Sequence, residues 1–586
     1  MKKYIIGLAL LSLITSCTDQ LELPSDGRIT MDQVFNDYNR TRGYLNSCYG
    51  HGPAPYMDRS SYTDESQDAD DITPGSRYNA WYGGNVTAAS YPVFSVDGSP
   101  WTSLYVGIRK CNVFIENIKT ATVYASENEK AAWNAQAHAL RALYYLQLIK
   151  RYGSVPLITQ ELPVNHDFSQ DKKSSFNEVV KQIIADCDVS LSVPANRDGF
   201  SWDIYDNQFQ IMTRAVVYAI KSQAVTYAAS PLWSDGTFTW ADATTVNAEA
   251  LAACLDNGYQ LFDQKPAEDI AQNAYALYFF TSSNDQRSVD KETIYQLGGQ
   301  MQVWRYAGMP TNPGMDRTGP CPTQDMVDSY EMENGEAPIL GYSDANKLVP
   351  IINTTSGYTE SDPYKGRDPR FYASIYYNGA IRHLDQPNGK KVETFEDGQE
   401  GISETNRKNT RTGYYLRKFN NYKSGIDNQA DGGIRLFRLA ELYLNFAESA
   451  YNSVGADAPV SVGGRSMSAR DAVNMIRKRA GMPDFPLGMS KEAFEKKYRN
   501  ERRIELAFEE HRYFDVRRWK ILKDTDQFVT GMRIHKTGDS WEYSRFKFQN
   551  RNCSDDKFLL YPINQSEVTK MVGLTGEDWQ NPGWLD

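Results

Sequence analysis

Between residues 126 and 156 the apolar positions step by three and four: Trp133, Ala137, Leu140, Tyr144 and Leu148. That spacing puts the side chains on one face of an α-helix. Ser126-Glu127-Asn128-Glu129 opens the segment as a capping box, and Lys150 and Arg151 fill its last turn. Gly153 offers a left-handed cap and Pro156 blocks continuation. Ser175 and Glu178 open a second helix with Val179, Val180, Ile183, Ile184, Cys187 and Leu191 on one face. A third is predicted from about Thr213 through Val217, Ile220, Ala224 and Tyr227 to Pro231, and a fourth over about 247–257, capped by Gly258. The pattern returns late in the chain, where Leu436, Leu439, Tyr443, Phe446 and Ala450 form one stripe. Ser468 and Asp471 start the next helix, which stops at Gly481-Met482-Pro483. A long charged helix over about 490–511 and a shorter one to about Trp519 follow, and residues 31–49 and 101–118 also read as helical.

Small residues (Ala137, Ala142, Ala224, Ala228, Ala447) recur where paired helices would cross closely. Serial helical hairpins of this kind predict a mainly α solenoid, an α-α superhelix, with no clean repeat period. Residues 51–100 and 259–433 differ: they are rich in Gly, Pro, Asn, Asp and Tyr, with short β-like runs such as Phe371-Tyr372-Ala373-Ser374-Ile375-Tyr376-Tyr377. Long aromatic loops in a folded chain usually carry function. The expected organisation is a leader over 1–16 and a single domain over 17–586. Its helical scaffold covers about 28–50, 101–258 and 434–522, with a loop-rich ligand lobe over 51–100 and 259–433.

The N-terminal residues bear on where the protein works. Lys2 and Lys3 precede an apolar run over 4–14, then Thr15-Ser16-Cys17. This order resembles a bacterial lipoprotein signal, in which Cys17 would be lipidated and anchor the chain. No later stretch is apolar enough to span a bilayer, so the anchor would be lipid alone. The net charge is −11, and no basic block stands out, which argues against a nucleic-acid partner. The six remaining cysteines are far apart and form no C-x-x-C. Cys111, Cys187 and Cys254 fall on predicted helices as small buried side chains.

Catalytic and metal motifs are wanting: there is no H-E-x-x-H, G-x-S-x-G or Walker A pattern. Asp64, Glu65, Asp68, Asp70 and Asp71 carry the oxygen ligands Ca²⁺ needs but lack the glycine and closing glutamate of an EF-hand. They read as a solvated acidic loop, and no cofactor is expected. The composition points instead to aromatics, for Tyr alone numbers 38. Arg77-Tyr78-Asn79-Ala80-Trp81-Tyr82-Gly83-Gly84-Asn85 places Trp and Tyr on a glycine-bounded loop. Val303-Trp304-Arg305-Tyr306 is a second group, between Gly299 and Gly308. Such rings either stack on the C–H faces of sugars or anchor loops in the core.

Three segments carry a resemblance to a known family. Glu501-Arg502-Arg503-Ile504-Glu505-Leu506-Ala507-Phe508-Glu509-Glu510-His511-Arg512-Tyr513-Phe514-Asp515-Val516-Arg517-Arg518-Trp519 is similar to the signature of the SusD/RagB family, with His511 where glycine is usual, a departure expected at the surface. Arg438-Leu439-Ala440-Glu441-Leu442-Tyr443-Leu444 with Arg477-Lys478-Arg479-Ala480-Gly481, and Tyr227-Ala228-Ala229-Ser230-Pro231, resemble further family segments. Read by itself, the signature offers i,i+3 ion pairs Arg502–Glu505, Glu509–Arg512 and Asp515–Arg518, each worth only tenths of a kcal/mol if exposed.

The resemblance implies tetratricopeptide-like helix pairs with an irregular lobe bearing the ligand site. It implies a non-enzymatic, lipid-anchored outer-membrane protein facing the cell exterior. That protein would capture oligosaccharide for a TonB-dependent, SusC-like transporter. By position and residue type, it points to Trp81, Tyr82, Asn85, Trp304 and Tyr306, with Arg77 and Arg305 beside them, as ligand-binding residues. A peptide-binding member of the family and a lipid-anchored glycoside hydrolase are the rival readings.

Overall fold

The structure, a computed structural model, describes residues 29–52, 57–89, 100–195, 199–202, 209–265, 273–281, 288–296, 303–311, 314–382, 390–421 and 435–584. The leader and Cys17 lie outside the described residues, as does the side chain of Trp304. Two N-terminal helices, α1 (Met31–Phe35) and α2 (Tyr38–Cys48), and the short α3 (Arg77–Tyr82) precede the main scaffold. The expected helix over 31–49 is broken in two because Asp37 caps α2, accepting from the Arg40 amide at 2.8 Å.

The scaffold is a row of helices, each packed on the next: α4 (Pro100–Ile118), α5 (Glu127–Tyr152), α6 (Phe176–Ser192), α7 (Arg214–Ala228) and α8 (Trp240–Asp256). Ser175 and Glu178 cap each other's backbone at the start of α6, as their spacing predicts. Ser126 caps α5 by accepting from the Glu129 amide. Helix α8 begins earlier than its apolar stripe suggests, because Thr239 and Asp242 form a capping box.

After α8 the chain leaves the row for the loop lobe, a short helix of which, α9, spans Val303–Tyr306. It returns as α10 (Leu439–Ser453), which packs on α8, then α11 (Ala469–Ala480), α12 (Lys491–Glu505) and α13 (His511–Arg518). At the α7–α8–α10 crossing Asn247 donates to Thr226 Oγ1 and to the Asn445 carbonyl, and accepts from Ser222 Oγ. A buried polar group fully bonded in this way fixes the register of close-packed helices. The lobe leaves and rejoins at one neck, where strand Thr293–Gln296 pairs antiparallel with Arg435–Arg438. Among the described residues no helix is long and apolar enough to cross a membrane. The six cysteines from Cys48 onward are buried and unbridged.

The signature segment differs from its expectation. The charged helix stops at Glu505, and Phe508 (φ 61°) and Glu510 (φ 69°) turn the chain before α13 restarts. Tertiary contacts impose this turn on residues that would otherwise extend a helix. Of the three i,i+3 pairs, Asp515–Arg518 forms, at 2.8 Å. Arg502 instead reaches Asp515, Glu509 reaches Arg438 and Lys418, and Arg512 grips Asp64 with two bonds. Arg438 sits at the centre, 2.7–2.8 Å from Glu292, Glu505 and Glu509. These groups are buried, so the network is an ionic core and not a helix face in water. Burial opposes ionisation of Glu505, yet Arg479, Arg438 and Arg370 hold it at about 2. His511 is buried too, contrary to a surface position, and burial drives its imidazole down to about 4.

Local structure departs from expectation at two more places. The 371–377 run is not a strand: Asp368 caps a helix at Pro369–Ser374, and only Ile375–Tyr376 is extended. The sequence reading missed a long hairpin, Phe528–Thr537 against Ser540–Asn550. Its signal is legible: Met532 and Ile534 alternate with Arg533 and His535 ahead of the Gly538 turn.

Candidate functional site

The two aromatic segments singled out in the sequence do meet. A short antiparallel pair, β1 (Ser66–Asp68) and β2 (Pro320–Pro322), joins the N-terminal part of the lobe (57–89, the arch) to its central part, and the Ala69 amide donates to the Gly319 carbonyl at 2.9 Å. Gly319 has φ +64°, and a Cβ there would lie 2.2 Å from the Tyr306 carbonyl oxygen, so only glycine lets α9 sit this close. The amide of Asp316 donates to the Arg305 carbonyl at 2.9 Å and closes the loop between α9 and β2.

What meets there is not the expected set. Trp81 is 2% and Tyr82 0% exposed, so neither ring offers a face to a ligand. Trp81 packs among Tyr62, Phe558 and Tyr513, with ring centroids 4.8, 5.1 and 6.3 Å away. The Tyr82 hydroxyl donates to the Ser61 carbonyl and accepts from the Asp68 amide, at 2.9 and 3.0 Å. Gly83 and Gly84 do not free this loop. Asn552 bonds the Tyr82 carbonyl at 2.8 Å, and its own carbonyl would lie 2.4 Å from a Cβ at Gly84. Asn85 is exposed beyond the end of α3, with its amide folded towards Gly83.

Of the expected aromatics whose side chains are described, Tyr306 faces solvent, at 38%. Guanidinium groups lie by its ring, Arg305 at 5.4 Å and Arg317 at 5.5 Å from the centroid. Arg305 Nε is 3.0 Å from Asp316. Arg317 reaches Asp58 at 3.5 Å and Asp70 at 3.7 Å. Arg77 bonds the same Asp58 oxygen at 2.5 Å, and Arg407 Nε lies 3.2 Å from Asp70. A chain of ion pairs therefore links the arch, the lobe loop and the 403–410 segment around one exposed ring. Burial, with Asp58 nearby, pushes the Asp68 carboxyl beneath them up to about 7.

Asp58, Asp316, Arg317 and Arg407 escaped the sequence reading because no local motif marks them, and Asp70 was legible only as one of an acidic cluster. They come from three separate stretches and acquire meaning only when β1 pairs with β2. The acidic cluster is likewise not a solvated loop. Asp64 is held by Arg512, Asp71 by Arg411 at 2.9 Å, and Glu65 accepts from the Phe508 amide at 3.2 Å. No three acidic, His or Cys side chains converge as metal ligands among the described residues.

Comparison with known proteins gives consistent matches. Residues 279–584 match the family described as "SusD family", and residues 43–199 match one described as "Starch-binding associating with outer membrane". SusD-like protein P2 of Formosa agariphila is 25% identical over 429 residues, covering 72% of this chain and 71% of that protein. The crystal structure of a SusD-like protein from Bacteroides fragilis superposes with a TM-score of 0.75 at 25% identity, covering 94% of this chain and 98% of the other. A SusD-like carbohydrate-binding protein from the same species superposes with a TM-score of 0.68 at 21% identity, over 93% and 99% of the two chains. The mainly α fold with tetratricopeptide-like helix pairs is the fold of these structures.

Proposed function

The chain belongs to the SusD family, and on that premise we propose that it is a non-catalytic surface lipoprotein that captures oligosaccharide and hands it to a TonB-dependent transporter. The observation that carries this reading is Tyr306. It is an exposed ring on a rigidly tied helix, with hydrogen-bonding guanidinium groups beside it. A planar apolar face ringed by polar groups suits a pyranose, whose C–H face stacks while its hydroxyls bond. The name of the Bacteroides fragilis relative as a carbohydrate-binding protein supports the same ligand class.

In this reading Arg305 and Arg77 frame the platform, while Trp81 and Tyr82 hold its base. Trp304 belongs to the same short helix. Cys17 carries the lipid, and the transporter receives the glycan.

Titration of the purified protein against an oligosaccharide panel tests the binding step. Tyr306→Ala is expected to weaken binding about thirtyfold, the loss of a hot-spot aromatic. Unchanged affinity would remove Tyr306 from the site. Peptide binding in place of glycan binding would favour the peptide-binding reading, and release of cleaved products from polysaccharide would make the protein a hydrolase. Metabolic labelling of Cys17→Ala, expected to abolish lipidation, and co-purification of a β-barrel transporter from native membranes test the remaining steps.

A further inference from the structure

The ion pairs around Tyr306 are layered. The carboxylates of Asp58 and Asp70 lie low, with side chains 10% and 16% exposed. The guanidinium groups they hold stand higher: Arg77 is 26% and Arg407 40% exposed, while Arg317, which bridges the two acids, is 19% exposed. Asp58 is shared by Arg77 and Arg317, and Asp70 by Arg317 and Arg407, so three guanidinium groups rest on two carboxylates. Arg305, 40% exposed, adds a fourth, with Asp316 as the acid at the rim. Asp68, below, is fully buried, and with its carboxyl pushed to about 7 it only partly offsets the excess near neutral pH. A cation-rich rim stands out on a chain of net charge −11. Carboxylates underneath pre-orient the forks without presenting acceptors to a ligand, and a guanidinium fork matches a carboxylate or sulfate in geometry and charge.

We propose that this site is selective for anionic glycans, oligosaccharides bearing a carboxylate or sulfate, with the sugar ring on Tyr306 and its anion on the rim formed by Arg305, Arg317 and Arg407. The proposal rests on the reading of Tyr306 as the sugar platform and adds the ligand's charge to it.

The test is calorimetric titration of the whole soluble chain with three probes of matched length: oligogalacturonate, a sulfated galactan oligosaccharide and a neutral maltooligosaccharide. Binding of at least one acidic probe about tenfold or more tighter than the neutral one is expected. The preferred acidic probe tells carboxylate from sulfate. The preference should shrink with added salt and vanish in the Arg305→Gln/Arg407→Gln double variant, whose affinity for the acidic probe falls far more than its affinity for the neutral one. Arg407→Lys should recover only part of it, since an ammonium lacks the fork. Equal or tighter neutral binding, or an acidic preference that survives the double variant, overturns the charge selectivity. In that case weaker neutral binding by Tyr306→Ala would leave the platform standing. Failure of all three probes to bind overturns both.

Discussion

Two regions of this molecule are built from the same pair of groups, guanidinium and carboxylate, and do opposite things. Around Arg438 the pairs are dry and saturated. Each of Glu292, Glu505 and Glu509 lies within 2.8 Å of Arg438, and Arg479 and Lys418 fill further positions. Around Tyr306 the contacts loosen to 3.0–3.7 Å at Arg305, Arg317 and Arg407, and two of those side chains are 40% exposed. The first arrangement leaves nothing for a ligand to bond, so it fixes the neck where the lobe joins the solenoid. The second keeps donors at the surface. Burial, not residue type, separates a structural ion network from the proposed recognition surface.

The comparison breaks most sharply at Arg438. Arg438→Met would leave three carboxylates clustered in the interior with their central cation gone. Removing one partner of a buried pair costs about 3–5 kcal/mol, and this change takes the shared cation from three acids at once, which keep only Arg479, Arg370 and Lys418. Denaturant melts should show a large loss or no folded protein. A melt within about 1 kcal/mol of the parent would mean the core relaxes or takes in water, and the contrast between the regions would fail.

Trp81 comes next. Trp81→Ala removes a ring enclosed by Tyr62, Phe558 and Tyr513, and is expected to cost about 3–4 kcal/mol of stability. Tyr306→Ala should stay within about 0.5 kcal/mol of the parent in the same melt. A Trp81→Ala protein that melted normally but lost ligand would return Trp81 to the binding surface.

Local sequence does not tell the two rings apart. The caps at Ser175 and Ser468 are local, i to i+3, so the sequence carries them whole, and with the apolar stripes they lay out the solenoid. The fate of Trp81 depends on Asn552 and Phe558, hundreds of positions away. The glycines beside it look like ligand-loop hinges, although Gly84 instead makes room for the Asn552 backbone. The end of α12 is hidden for the same reason. Leu506-Ala507-Phe508-Glu509 has good helix formers, and only Arg438 and Lys418, reaching in from outside the helix, pull Glu509 into place. Of the candidate site, Tyr306, Arg305 and Arg77 were legible as residue types on loops. Their aspartate holders were not, because those pairings are entirely tertiary.

A pH series sharpens the contrast within the buried acids. Glu505 and Glu509 are both held at about 2 by neighbouring cations. Their contribution is present above the ordinary carboxylate range and is lost as pH falls from about 4.5 towards 2. Glu65 runs the other way: burial, with Asp64 adding to it, raises its carboxyl to about 8. The folded state then keeps a proton that the unfolded chain releases, so stability declines as pH rises from about 4.5 to 8. Glu65→Gln should remove that decline, matching the parent near pH 4 and exceeding it by about 4 kcal/mol near pH 8. A difference that does not change with pH would show that Glu65 is paired and ionised in the fold.

The smallest expected effect belongs to Arg305, and it bears most directly on the comparison. Its partner Asp316 lies 3.0 Å away, but the two side chains are 40% and 43% exposed, so water screens the pair and competes for both groups. Exposed pairs of this kind contribute about 0–1 kcal/mol. The loop between α9 and β2 has its own ties: the Asp316 and Arg317 amides donate to the Arg305 carbonyl, which any residue at 305 supplies. Arg305→Gln should therefore melt within about 0.5 kcal/mol of the parent while altering ligand affinity. The melt is best run at low and at high salt. If the guanidinium served the fold as Arg438 does, the variant would fall well below the parent at both, because a dry pair is barely screened. A small deficit that disappears in salt would place Arg305 at the surface, as a group held ready for a ligand.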